Sequence, residues 1–262
     1  MRQRLQRLNM GDFTDEEVAI CETLLATIDL QKMLHHSGFN YPKNPHLNFE
    51  NLLGLLEQPL ARHLKFLIAE LLKQLAKTDP EKLFKEPSWL QMAIEKTSGK
   101  AHSCLEAKQH IDSLIKEADV VAGKLELMLA EIAVQLKLLR NEMANLRLLI
   151  AAGRLYLADL PDTLSIPVDD YAAVNPVQRF SRSIATMAAL LTSHKMTAVQ
   201  LEMAYAQTEG LLARYYDCSR VLIPVWQENS LVALLSGQYT PVKIRLMKQT
   251  YNTLKHKLSQ FI

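Results

Sequence analysis

The sequence has few of the features that mark a secreted, metal-binding or nucleotide-binding protein. It contains only three cysteines, and these lie far apart at Cys21, Cys104 and Cys218. An odd number of cysteines without a Cys-x-x-Cys or Cys/His spacing argues against a disulfide framework and a zinc site, and it fits a reducing cytoplasm. The eight glycines form no phosphate-binding loop, and no HExxH or GxSxG stretch occurs. We therefore expect no cofactor, no bound metal and no catalytic site.

Long hydrophobic runs and a strong charge of one sign are also missing. No stretch reaches the apolar length that a membrane span needs, and the basic amino terminus lacks the hydrophobic region of a signal peptide. The formal net charge is only +2, and cations are scattered among almost as many acids, which gives no reason to expect nucleic-acid binding. We predict a cytoplasmic protein, or at most one bound to the periphery of a membrane.

What the sequence does contain is hydrophobic residues at helical spacing, and 48% of the chain is hydrophobic. One seam, which steps alternately by four and three residues, has no polar member: Ile111, Ile115, Ala118, Ala122, Leu125, Leu129, Ile132, Leu136, Leu139, Met143, Leu146, Ile150, Gly153, Leu157 and Leu160. A heptad register kept over this length is typical of a helix that supercoils around a partner helix. We predict a helix at about residues 101–160.

A second seam follows a proline-rich stretch at residues 161–176. Its members are Phe180, Ile184, Met187, Leu191, His194, Ala198, Leu201, Tyr205, Thr208, Leu212, Tyr215, Ser219, Leu222 and Trp226. Two heptad helices of similar length joined by a short connection are typical of an antiparallel hairpin. The predicted fold is all-α: a long antiparallel coiled-coil helical hairpin with a bundle of shorter N-terminal helices. A seam can also be satisfied between copies of the chain, and the sequence leaves that alternative open.

The shorter helices are predicted from their start signals. Thr14 and Glu17 form a capping box ahead of a helix at about residues 15–36, and Pro59 is expected in the first turn of another helix. After Pro241, a basic amphipathic helix is predicted, with Val242, Leu246, Tyr251, Leu254 and Leu258 on its apolar side. The expected regions are residues 1–98 for the short helices, 99–238 for the hairpin with helices at about 101–160 and 176–236, and 239–262 for the C-terminal helix.

Two polar residues, His194 and Thr208, occupy seam positions that apolar residues normally take. In a hairpin, His194 should lie opposite the segment that contains Glu142. A His194–Glu142 pair would act as a pH-sensitive clasp, whereas the alternative is a core histidine that is simply hydrogen-bonded.

Three other groups are candidates for binding chemistry. Arg140, Arg147 and Arg154 recur every seven residues, and such a face could receive an oxyanion or an acidic partner, although the usual role is a solvated face paired with nearby acids. Cys218 lies near Arg214 and Arg220, which could lower its pKa, but an inert, half-buried thiol is the commoner situation. The histidines of the stretch HHSGFNYPKNPH, at positions 35, 36 and 46, could ligate a metal together with His63, or could simply interact with the end of a helix.

The stretch LIPVWQENSLVAL places Pro224 inside the second long helix. A proline there removes an amide donor and clashes with the carbonyl of Arg220, so the helix must bend or end; the continuing phase of the seam favours a bend. Trp226 would then cover carbonyls freed at the bend. This Ile223-Pro224-x-Trp226 stretch, the preceding QLEMAYAQTEGLLARYYDCSRV and the upstream LRLLIAAGRLYLADL resemble the TelA-type toxic anion resistance proteins, which are associated with tellurite resistance in bacteria.

The resemblance covers about residues 100–236. Gln227 stands where that family usually has lysine, the glutamine run is less regular and the chain is shorter, so it resembles a divergent or shortened member. It implies a non-enzymatic stress protein that acts as a binding or assembly scaffold, through a protein partner or self-association. The alternative is a peripheral membrane protein of envelope stress that coats the membrane through its hairpin and its basic C-terminal helix.

Overall fold

The structure is a computed structural model that describes residues 2–7, 12–28, 49–80, 98–160, 176–236 and 241–261. Within these ranges the regular structure is helical and no strand occurs, which confirms the all-α prediction. The helices are α1 (Arg2–Arg7), α2 (Asp15–Thr27), α3 (Phe49–Glu57), α4 (Pro59–Lys77), α5 (Ser98–Asp159), α6 (Pro176–Asp217), α7 (Ile223–Ser236) and α8 (Pro241–Ser259). A π-helical turn, Cys218–Leu222, joins α6 to α7.

The capping signals in the sequence mark the starts of helices, as predicted. At α2 the Thr14 hydroxyl accepts the Glu17 N–H at 3.2 Å, and the Glu17 carboxylate accepts the Thr14 N–H at 2.8 Å, which completes the capping box. The end of α2 was predicted wrongly. The helix stops at Thr27 rather than near residue 36, because Ile28 has an extended backbone (ψ 110°). Residues 29–36 lie outside the described residues.

Pro59 begins α4, as expected. The preceding Gln58 lies in the left-handed region with φ 47°, which is unfavourable for a residue with a Cβ. Its side-chain amide donates to the Ala204 carbonyl at 3.1 Å. This hydrogen bond ties the junction between α3 and α4 to α6, and it helps to hold the unfavourable backbone conformation in place.

The chain contains two compact units, and each long helix contributes to both. Unit 1 comprises residues 1–52 and 133–202, and unit 2 comprises residues 53–132 and 203–262. These units do not follow the three regions expected from the sequence, since α1 and α2 belong to one unit and α4 belongs to the other. The predicted boundaries near residues 98 and 238 stay a prediction about how the chain is organised.

In unit 1 the core forms where α5 meets α6 and the N-terminal helices. Ile150 packs with Phe180, Ile184 and Met187. A second cluster of this unit places α1 and α2 on α5, and its buried members are Leu5, Phe13, Cys21, Leu148, Ala151 and Leu155. The N-terminal helices therefore cover a face of α5 other than the seam.

In unit 2 one larger core joins α4, α5, α6, α7 and α8. It includes Leu71 of α4, Leu125 of α5, Tyr215 of α6, Trp226 of α7 and Leu254 of α8. Over the two units together, each described member of the two predicted seams is buried or half-buried. The heptad pattern thus identified correctly the inward face of both long helices.

Candidate functional site

The proline of the Ile-Pro-x-Trp motif is accommodated by the π-helical turn that precedes it. The N–H of Ile223 donates to the carbonyl of Cys218, five residues back, instead of to a carbonyl four residues back. The wider turn suits Pro224, which has no N–H and whose ring would crowd the Arg220 carbonyl in a regular α-helix. The chain is helical on both sides of the turn. The helix therefore continues past Pro224, but with a π-helical turn before it.

The extra residue in the π-turn changes which side chains face the core. Cys218 and Ser219 are both buried, and Ile223 is buried while Leu222 is only partly so. The sequence placed Leu222 within the seam, and it is half-buried against the core as expected, whereas Cys218, placed just outside the seam, is fully buried. A heptad count assumes a constant number of residues per turn, and a π-turn violates that assumption.

Trp226 is the largest side chain in this core and only 2% exposed. Its indole Nε1 has no hydrogen-bond partner in the part of the chain that the structure describes, and the prediction that the ring covers carbonyls freed beside Pro224 stays a prediction. Beside the ring lies a small apolar cavity of about 10 Å³, lined by Leu71, Leu75, Ile111, Ile223, Trp226, Leu254 and Leu258. It has room for about one water molecule and is far too small for a cofactor.

Polar contacts on both sides of the motif attach it to α5. The Tyr215 hydroxyl donates to the Asp119 carboxylate at 2.7 Å, and the Gln227 amide donates to the Asp112 carboxylate at 2.8 Å. Burial, and then the hydrogen bond to Asp119, raise the pKa of Tyr215, so this hydroxyl keeps its proton and remains a donor. The contacts hold the π-turn in one position along α5. Sequence inspection missed them because nothing in the heptad pattern pairs these residues.

A second group of contacts lies on the exposed side of the turn. Tyr216 donates to Glu126 at 2.8 Å, and the Arg220 guanidinium lies 3.9 Å from the centre of the Tyr216 ring. Burial and the Glu126 carboxylate raise the pKa of Tyr216. Arg220 therefore interacts with a ring and not with the Cys218 thiol.

The two cysteines whose side chains the structure describes are protected thiols. Burial raises the pKa of Cys218 to about 11, with the charge of Asp217 adding to the effect and Lys257 opposing it. Burial and Glu17 raise the pKa of Cys21, whose thiol donates to the Leu148 carbonyl at 3.7 Å. The raised pKa contradicts activation of Cys218 and agrees with the alternative of an inert thiol, because desolvation outweighs the charge of Lys257. The side chain of Cys104 lies outside the described residues.

The predicted arginine face lies on α5 in unit 1, and two of its members have partners within the chain. Arg140 binds Glu202 at 2.7 Å, while Arg147 lies 3.8 Å from Glu17 and 4.2 Å from the centre of the Phe13 ring. Arg147 also donates to the carbonyl of Asp12. Arg154 is exposed. This arrangement matches the solvated, acid-paired alternative, and an anion or partner site at these residues stays a prediction.

His194 and Glu142 are both buried in unit 1, at 2% and 5% exposed. Burial lowers the pKa of His194, and the negative charge of Glu142 partly opposes that effect. The charge of Glu142 therefore acts on the His194 imidazole, and a pH-sensitive clasp between the two residues stays a prediction. The stronger influence is desolvation, which favours the neutral imidazole.

The C-terminal helix α8 packs differently from the prediction. Tyr251, Leu254, Leu258 and Phe261 lie in the core of unit 2 and Met247 is also buried, whereas Val242 and Leu246 are exposed. The amphipathic pattern was recognised in the sequence, but its apolar face contacts protein. The signal that could have revealed this is Met247, which continues the spacing of Tyr251, Leu254 and Leu258 one turn earlier.

The described ranges contain neither a metal-binding cluster nor a membrane-spanning helix. No group of three or more His, Cys, Asp or Glu side chains there could hold a metal ion, and His35, His36 and His46 lie outside those ranges. Among the helices described, none combines the length and apolarity that a membrane crossing requires.

Comparison with known proteins identifies a distant relative. The chain is 26% identical over 213 residues to Protein KlaA of Escherichia coli, and the match covers 81% of this chain and 83% of that protein. No protein family profile matches the chain. No solved structure matches it either. The match to KlaA establishes a distant relationship that extends over most of both chains.

Proposed function

We propose that this protein is a toxic anion (tellurite) resistance protein of the TelA-like kind, which acts without catalysis as a helical binding or assembly scaffold. The observation that carries the proposal is the Ile223-Pro224-x-Trp226 motif, which follows a long helix and has Ile223 and Trp226 in the core of unit 2. The distant relation to KlaA over most of the chain favours the same family.

The scaffold in this proposal is an antiparallel coiled-coil hairpin of α5 with α6 and α7. In unit 1, Arg140 binds Glu202, and Gly153 lies against the side chain of Ile184. In unit 2, Gln227 binds Asp112 and Tyr215 binds Asp119. In each unit the later position along α5 contacts the earlier position along the other helix, which is the order of an antiparallel pair. These contacts support a seam that is satisfied within one chain.

The absence of catalysis is part of the proposal, and the chemistry of the thiols supports it. Reduction of an oxyanion by cysteine requires thiolate, and burial holds the pKa of Cys218 at about 11 and raises that of Cys21. Both thiols therefore stay protonated at neutral pH. The buried core around Trp226, with a cavity of about 10 Å³, leaves no space for a substrate.

The test is complementation of a strain that lacks the gene, challenged with potassium tellurite. We expect wild-type protein and a Cys21→Ala, Cys104→Ala, Cys218→Ala variant to restore growth equally, because the thiols are not used. Loss of tolerance in the cysteine-free variant, with circular dichroism unchanged, would favour a redox enzyme. Equal growth of the deletion strain and the wild type in tellurite would refute the role in resistance.

A scaffold must also bind something, and self-association is the version that purified protein can test. Sedimentation velocity over a range of protein concentrations should show a species larger than the 29.7 kDa monomer. A monomer at each concentration would leave a different protein as the partner. The matched variant is Arg154→Ala, which changes the exposed member of the arginine face and should reduce association if that face is used.

A further inference from the structure

The positive charge of the protein is concentrated on two helices of unit 2. Helix α4 carries four cationic residues and one carboxylate, and α8 carries five cationic residues and no carboxylate. Together they have a net charge of +8, whereas the whole chain has +2, so the rest of the chain carries a net charge of −6. A total near zero thus conceals a strong asymmetry, which the overall composition does not reveal.

These two helices are neighbours, and each turns its apolar side inward. Helix α4 contacts α8, and Leu64 and Leu71 of α4 share one core with Leu254 and Leu258 of α8. Helical periodicity places Arg62, Phe66 and Lys73 on the side of α4 opposite the buried leucines. Arg245 is exposed on α8. Most cations of the two helices are therefore exposed, and Lys243 and Lys248 are half-buried.

Large apolar side chains are exposed among these cations. Phe66 is 60% exposed and follows Lys65, while Val242 is 75% and Leu246 is 47% exposed on either side of Arg245. The core of unit 2 buries the other apolar face of each helix, so these three residues contribute little to folding. The outer surface thus combines cations with exposed apolar side chains.

We propose that the outer faces of α4 and α8 form a docking surface for an anionic phospholipid bilayer. A lipid surface attracts the cations through its negative headgroups and accepts the apolar side chains between them. A nucleic acid would attract the cations but offers no comparable site for Phe66, Val242 and Leu246. Charge complementarity together with the apolar residues therefore favours the bilayer.

This surface differs from an amphipathic helix lying on a membrane through its apolar face. On that face of α8, Met247 is buried and Tyr251 and Leu254 lie in the core, so exposing it would require unit 2 to open. The surface proposed here is available in the folded protein. Binding should consequently be fast, reversible and sensitive to salt, because screening weakens the attraction between exposed charges and the headgroups.

The experiment is vesicle flotation with the purified full chain. Vesicles of phosphatidylcholine alone are compared with vesicles that contain about one third phosphatidylglycerol, at about 0.1 M and about 0.5 M salt. We expect binding only to the anionic vesicles, and less binding at the higher salt. Equal binding to both kinds of vesicle, or binding to neither, would overturn the proposal.

Two sets of variants locate the surface. Replacing Lys65, Lys77 and Arg245 with glutamine should lower the partition coefficient about 100-fold, at about fivefold for each cation. Replacing Phe66 and Val242 with serine should lower it about tenfold. All of these side chains are exposed, so circular dichroism and the melting temperature should remain close to those of the wild type.

The matched controls remove the same number of charges or apolar groups from α5. One replaces Lys116, Lys124 and Lys137 with glutamine, and the other replaces Val120 and Leu127 with serine; all are exposed. Each control should bind like the wild type, and an equal loss in a control would refute the assignment to α4 and α8. A double-stranded oligonucleotide that binds where anionic vesicles do not would identify a nucleic-acid surface instead. None of these measurements uses tellurite, so a negative result for vesicle binding is independent of the test of tellurite resistance.

Discussion

Two glycines of α5 offer a matched test of how the seam is packed. A methyl group added at Gly153 would lie 2.1 Å from Cδ1 and 3.0 Å from Cγ1 of Ile184, and 3.4 Å from the Phe180 ring. A methyl group added at Gly123 would meet nothing within 4 Å. The same substitution, glycine to alanine, should therefore have opposite effects at two positions of one helix.

The magnitudes follow from two competing contributions. Alanine in place of glycine inside a helix stabilises the protein by about 1 kcal/mol, and at Gly123 nothing opposes this gain. At Gly153, Ile184 and Phe180 are buried and have little room to move, and overpacking of such a core costs about 1–3 kcal/mol. We expect Gly123→Ala to stabilise by about 1 kcal/mol and Gly153→Ala to destabilise by about 1 kcal/mol.

The assay is urea denaturation followed by far-UV circular dichroism, with hydrogen exchange used to assign each change to its unit. A second variant, Ile184→Val, removes the Cδ1 atom that would be closest to the new methyl group. Alone it should cost about 1 kcal/mol, but combined with Gly153→Ala it should relieve the clash, so the two costs should not add. Stabilisation by Gly153→Ala as large as that by Gly123→Ala would refute the close packing of α5 against α6.

Three further predictions concern buried groups. Because burial lowers the pKa of His194, the folded state favours the neutral imidazole. We therefore expect the stability of the protein to fall as the pH drops below the ordinary histidine pKa of 6.5. In melting curves measured between about pH 5 and 8, His194→Leu should weaken this dependence. Because burial raises the pKa of Cys218 to about 11, its thiol should react with iodoacetamide at pH 8 far more slowly in the native protein than in urea. Mass spectrometry of the labelled peptide measures the rate. Rapid labelling of the native protein would contradict the burial of the thiol. Trp226→Ala should lower the free energy of unfolding by about 3–5 kcal/mol. Trp226→Phe should lower it distinctly less, because the indole N–H has no hydrogen bond to lose. Equal losses in urea denaturation would imply a hydrogen bond at Nε1.

Local signals in the chain predicted most of the secondary structure. The capping box at Thr14 and Glu17, Pro59 in the first turn of α4 and Pro241 at the start of α8 each begin a helix where expected. These signals work because they act within one turn of backbone and need no distant partner. The end of α2 was not predicted, since no proline or glycine marks it and the apolar spacing continues beyond Thr27.

The candidate residues were foreseen less completely than the helices. Sequence inspection found the polar seam position at His194 and the special role of Pro224, because both interrupt a regular pattern. It did not find the contact of Tyr215 with Asp119 or that of Gln227 with Asp112, which join residues about a hundred positions apart. It left activation of Cys218 by nearby arginines open beside the commoner inert thiol, and burial of the thiol favours the inert one.

Periodicity alone was enough to establish which face of each long helix is buried, because hydrophobic residues follow the helical repeat on the buried face whichever segment packs against it. Periodicity does not identify the segment that packs there. Packing of the chain in three dimensions determined that α8 covers the core of unit 2, that a π-turn accommodates Pro224, and that the two cation-rich helices α4 and α8 are neighbours. The sequence alone could not give these features, because desolvation, close packing and the electrostatic potential all depend on distances between segments that are far apart in the sequence.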